Sequence, residues 1–198
     1  MHDTEIDKLC QRIYQKHKRA LDLIYERRPD RPTAIRQVVE GLITQTPGLI
    51  LDYSSKGRVN FVPQEWDVPI LKGANNYLRS GRIILFQFEN DEQALVLKLK
   101  IVPGPQDLRK RLFERAQTAQ PPFKVASAKM GAKFSIIYNK LFLVAEDYDD
   151  TGIDAVKDKI DKHWHDFATG DLPSITREMR QEQWIWQSPS PPTGLTAG

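Results

Sequence analysis

Metal-dependent cleavage of a nucleic-acid backbone asks for carboxylates gathered on a strand, with a lysine further along the same face. The acids hold Mg²⁺, and the lysine orients water or balances charge. The usual trace is Asp/Glu-x-Lys, and no acid in this 198-residue sequence has lysine two positions later. The nearest miss, Asp107-Leu108-Arg109, opens a helical pattern. Asp52, Glu65, Asp67 and Glu89 are the acids a sheet could still draw together, with Lys98 or Lys100 opposite. That set is the basis of a divergent Mg²⁺-dependent nuclease reading. Without the signature, no catalytic residue and no cofactor are assigned; the reading leans away from an enzyme and leaves a Mg²⁺-dependent nuclease as the enzymatic alternative.

Other chemistries find less. His163 and His165 point about 200° apart on a helix, so they cannot chelate one ion. Cys10 and His17 fall on one apolar stripe, where core packing is the expectation rather than a nucleophile and its base. Gly104 stands between two prolines, which remove the amide donors that a phosphate-cradling loop needs.

Binding chemistry has more material. The net charge is only +3, but its distribution is uneven. Basic residues dominate 101–140 and acids dominate 141–171. Lys56 and Arg58 on a first hairpin, Lys98 and Lys100 on a second, and Arg109, Lys110, Arg111 and Arg115 on a basic helix form the candidate phosphate-binding set. Lys98 and Lys100 share a strand face, so both are expected to reach solvent. A different class of function, protein interaction, would draw on Trp66 in a long loop and on Trp184 and Trp186 near the C-terminus.

The elements that must position these residues follow from periodicity. Residues 4–27 carry Ile6, Leu9, Cys10, Ile13, Tyr14, His17, Leu21 and Ile24 at helical spacing. A Pro-rich break precedes a second helix burying Ile35, Val38, Val39, Leu42 and Ile43, which ends at Pro47-Gly48. The period then changes to two. Residues 49–53 and 58–62 read as a hairpin, and 63–80 as a long loop. Residues 82–89 and 94–102 read as a second hairpin. A basic helix spans 106–117, a strand lies within 134–144, and two helices are expected over 152–168 and 174–186. The whole predicts an α+β fold: a mainly antiparallel four- to five-stranded sheet with helices on one face, two helices before it and two after. One domain over 1–186 is expected, with a Ser/Pro/Gly-rich, disordered tail at 187–198.

Three strings, KHKRALDLIYERRPDR (16–31), SSKGRVNFVPQEWD (54–67) and LVLKLKIVPGPQDLRKRLFE (95–114), together with the stretch from Ile137-Tyr138 to Asp147-Tyr148, carry a likeness. They resemble the carboxy-terminal region of a bacterial and phage family of PD-(D/E)XK-type nucleases, over about residues 5–178. In that family a nuclease core precedes this region. The resemblance implies a nucleic-acid-processing setting, such as defence against mobile DNA. Its catalytic motif has no counterpart in this sequence, so no catalytic residue transfers.

No apolar run approaches the roughly 18 residues of a membrane span, and the N-terminus lacks the apolar block of a signal peptide. A single cysteine fits a reducing compartment. The expectation is a cytoplasmic, non-catalytic accessory module that binds nucleic acid, DNA first, or a nuclease domain or other protein partner, with no membrane partner.

Overall fold

The computed structural model describes residues 3–26, 30–73, 77–91, 93–125, 127–149, 152–182 and 185. Two units emerge, residues 1–31 and residues 32–198, where the sequence reading drew one domain. Among the described residues no helix is long and apolar enough to cross a membrane.

The first unit is the helix α1 (Asp3–Glu26), kinked at His17, whose φ of −122° and ψ of 20° leave the helical region. The Tyr14 hydroxyl donates to Asp22 Oδ1 at 3.0 Å across that kink. The helix forms as its periodicity dictates, but its stripe is not a core. Ile6, Leu9, Ile13, Tyr14 and Ile24 are exposed, and so are Cys10 and His17, which corrects their assignment to core packing. Periodicity reports that a helix has an apolar side, not that something covers it.

The second unit begins at Pro32 within α2 (Arg31–Gln45), which buries Ile35, Val39 and Ile43. The chain then runs through β1 (Leu49–Ser55), β2 (Arg58–Pro63), β3 (Ile84–Asn90), β4 (Ala94–Ile101), α3 (Gln106–Thr118) and β5 (Ser135–Val144). It ends with α4 (Glu146–Asp149), α5 (Ile153–Asp166) and α6 (Leu172–Arg180). The strands form one antiparallel sheet in the order β1-β2-β3-β4-β5, in which the two hairpin signals account for the β1-β2 and β3-β4 pairs. The expected α+β architecture is the observed one.

Alternation sorts the faces. Val59 and Phe61 on β2, Phe86 and Phe88 on β3, and Leu95, Leu97 and Leu99 on β4 join α2, α3, α5 and α6 residues in one core. Aromatic rings dominate it. Phe61 stacks on Phe86 with centroids 5.2 Å apart, and Phe88 meets Phe142 edge-on at 4.9 Å. Trp66, in the loop after β2, stacks on Phe86 at 5.7 Å and is 1% exposed.

The C-terminal helices deviate from expectation in one respect. The sequence predicts two separate helices, over 152–168 and 174–186, but α5 runs through a π-helical turn, Phe167–Asp171, into α6. Pro173 sits in the first turn of α6, directly after the π turn, and supplies no N–H to the continuous helix. The wider turn keeps Phe167 in the core, against Trp164 at 5.4 Å and Phe86 at 5.2 Å.

Candidate nucleic-acid interface

On the sheet face away from the helices, the same alternation presents Arg58 and Asn60 of β2, Gln87 and Glu89 of β3, and Lys98 and Lys100 of β4. Register brings them together: Asn60 is paired with Gln87, Gln87 with Lys98, and Arg58 with Glu89. The polar side chains form one chain of hydrogen bonds. Glu89 accepts from both Lys98 and Lys100. Lys100 Nζ also donates to Gln87 Oε1 at 2.6 Å, and Gln87 Nε2 donates to Asn60 Oδ1 at 2.7 Å and to the Tyr77 hydroxyl at 2.8 Å. Burial alone would raise the Glu89 pKa, but hydrogen bonds from Lys100 and Lys98 outweigh it and hold the carboxyl below its ordinary range. Lys100 is pulled down by burial, and its bond to Glu89 only partly restores it. Arg58 lies near enough to lower it further.

A loop folds over one end of this face. Gly81 adopts a φ of 70°, which glycine alone tolerates readily, and its amide closes a turn onto the Leu78 carbonyl at 3.1 Å. Arg82 then anchors the loop. It donates to Asp52 Oδ1 at 2.7 Å and to Asp67 Oδ1 at 2.7 Å, and Lys72 pairs with the same Asp67 oxygen at 2.8 Å. The hydrogen bond from Lys72, with help from Arg82, holds the Asp67 pKa below its ordinary value. Under the loop, Val62, Leu78, Leu85 and Val102 make a small second core. Beside it lies a groove of about 860 Å³ lined by Asp52, Tyr53, Arg58, Asn60, Tyr77, Leu78, Arg79 and Ser80.

The acids singled out by the sequence do not converge. Asp52 and Asp67 are consumed by Arg82, Glu65 accepts from Arg180 Nε at 2.9 Å, and Glu89 neutralises two lysines. Among the described residues no group of three His, Cys, Asp or Glu side chains is placed to hold a metal ion. His163 rests against Phe142 at 5.6 Å while His165 is exposed, as their angular separation required.

The cations divide in a way the sequence did not indicate. Arg109 is 3% exposed. Its guanidinium donates to the backbone carbonyls of Gly131, Ala132 and Lys133 at 2.8, 3.0 and 3.0 Å. It is a loop anchor rather than a phosphate ligand. Arg115 is committed to Glu178 and Glu182 on the C-terminal side. Lys100, at 8% exposed, does not share the solvent access expected for both strand lysines, because Gln87 and Glu89 hold its ammonium inside the network. Lys98 is partly exposed. Lys56, Arg58, Lys110 and Arg111 are exposed, with Lys110 loosely paired to Glu114 at 3.8 Å. Arg79, Tyr53 and Tyr77 were not singled out, since they sit in a turn and at a bulge where no period marks a face.

The tryptophan anchors fare unequally. Trp66 is core, so it offers no surface to a partner. Trp184 and Trp186 lie outside the described residues, as does the tail over 187–198. No protein-family model, curated protein or solved structure matches this chain.

Proposed function

We propose that this chain is a non-catalytic nucleic-acid-binding module whose contact surface is the open sheet face and the groove beside it. The observation that carries the reading is the pairing state of the charges there. Arg58 and Arg79 line the groove, both are exposed, and among the described residues neither has a carboxylate partner. Asp52, the acid in the lining, is already neutralised by Arg82. Lys98 adds positive charge on the same face, only part of which Glu89 offsets. A surface of this kind attracts phosphates through counterion release and without base preference. The likeness of the quoted strings to a nuclease-associated region supports the same setting, with DNA as the first substrate to try. The dispersed pairing of Asp52, Glu65, Asp67 and Glu89 supports binding over cleavage.

The test is binding to labelled single- and double-stranded DNA and to RNA across a salt series, with Mg²⁺ in parallel samples. The expected result is binding that weakens steeply with salt and leaves the product intact. Cleavage that requires Mg²⁺ would return the four carboxylates to the active role. Absence of binding to every probe at low salt would end the nucleic-acid reading.

A further inference from the structure

The groove is concave, and that shape selects among nucleic acids. Side chains that read a duplex stand on a protruding helix or ribbon that enters a groove of the DNA. Here the relation is inverted, with the protein supplying the cleft. Its volume, about 860 Å³, falls in the roughly 300–1,000 Å³ range of clefts that enclose small organic groups. A base buried in a double-helical stack cannot enter it, whereas an unstacked base can.

The lining suits such a base. Tyr53 is 50% exposed and lines the groove, which puts accessible aromatic surface at the cleft. Tyr77 forms a fixed wall. Its ring packs edge-on against Phe134 at 5.0 Å and its hydroxyl accepts from Gln87. Leu78 adds apolar surface, Asn60 an amide, and Arg58 and Arg79 charge for the flanking phosphates. Aromatic rings interleaved with guanidinium groups in a positive cleft are the elements of single-strand recognition, in which stacking tolerates any base and cations follow the backbone.

We infer that the groove binds single-stranded nucleic acid, taking an unpaired base against Tyr53 while Arg58 and Arg79 hold the phosphates on either side. This rests on the proposal that the open face binds nucleic acid, and it adds strand preference and the stacking residue. Tyr53 is placed by β1, whose register shifts between Leu51 and Tyr53, and the shift presents the ring at the groove.

The experiment is fluorescence anisotropy on the full chain, with a labelled mixed-sequence 12-mer as single-stranded DNA, single-stranded RNA and duplex DNA. The expected result is single-strand binding at least about tenfold tighter than duplex binding, in one or both sugar arms, which then names the ligand. Tyr53→Ala should weaken single-strand binding roughly tenfold and narrow the preference for single strand over duplex, while Tyr53→Trp should restore both. Because Tyr53 is half-exposed, both variants should melt with the parent, and a circular-dichroism melt checks this. Equal affinity for single strand and duplex, or indifference to Tyr53→Ala, overturns the inference and leaves the binding proposal standing. Failure of all three probes to bind overturns both.

Discussion

Helix α3 and the open sheet face carry comparable runs of basic residues, yet the structure commits their arginines differently. On α3, Arg109 is buried among three carbonyls and Arg115 is locked to two glutamates. At the sheet face, Arg58 of β2 and Arg79 of the neighbouring loop stand exposed at a groove, and the buried Lys100 is matched by Glu89. Charge counted along a chain therefore misjudges charge available to a ligand. A guanidinium that satisfies buried carbonyls is spent on stability, and one that lines a cleft is not.

The comparison makes predictions that can be graded by size. Arg109→Ala should be the most damaging change, because it strands three carbonyls and empties a buried site. A loss of about 3 kcal/mol is expected in chemical denaturation. If the variant melts like the parent, Arg109 is not the anchor described. Glu89→Gln comes next, since it removes the charge that Lys98 and the buried Lys100 both face, and about 2 kcal/mol should be lost at neutral pH.

The pH dependence follows from the same network. The Glu89 pKa is depressed in the folded state, so its contribution is complete above the ordinary carboxylate range and is lost as pH falls through the lower folded value. Melting temperature should therefore decline on acidification in the parent, with that component missing in Glu89→Gln. Lys100 also has a lowered pKa, which means its charge costs the fold at neutral pH and the cost is relieved as pH climbs toward the ordinary lysine value.

Smaller still should be the effect of Arg58→Ala with Arg79→Ala on folding, within about 0.5 kcal/mol for exposed positions. Their effect should appear in binding instead, as a salt dependence shallower by roughly 0.7 per lost single-strand phosphate contact. Lys110→Ala closes the series. Exposed and paired to Glu114 at 3.8 Å, it should change stability by no more than about 0.5 kcal/mol and leave groove binding as it was. If Lys110→Ala weakens binding more than the double arginine variant does, the contact surface is α3 and the contrast drawn above reverses.

Much of the fold was legible because the signals were local. The LKLK alternation of β4 could satisfy its leucines only by turning its lysines to the other face, and the turn signals in the sequence at 54–57 and 90–92 left antiparallel pairing as the simple solution. Helices α2, α3 and α5 announced their buried faces by period. The site was less legible. Lys98 and Lys100 were visible as neighbours on one face, opposite acids that include Glu89, but the pairing of Glu89 with both and the burial of Lys100 were not. The groove was invisible. Tyr53 sits at a register shift, Arg79 in a turn, and Tyr77 is set by an edge-on ring more than fifty residues away, at Phe134.

The sequence by itself determined the strands, the principal helices, their order and the inward face of the regularly alternating strands, because these follow from backbone period and turn chemistry. It determined also that no Asp/Glu-x-Lys signature exists to hold a metal. Tertiary structure alone decided which charges are spent and which are available. Burial and pairing depend on residues distant along the chain: Arg82 joins Asp52 and Asp67, and Arg109 reaches the carbonyls of 131–133. An ion pair or a cleft is a property of distances in space, and those are fixed only when the sheet has closed and the loop has folded over it.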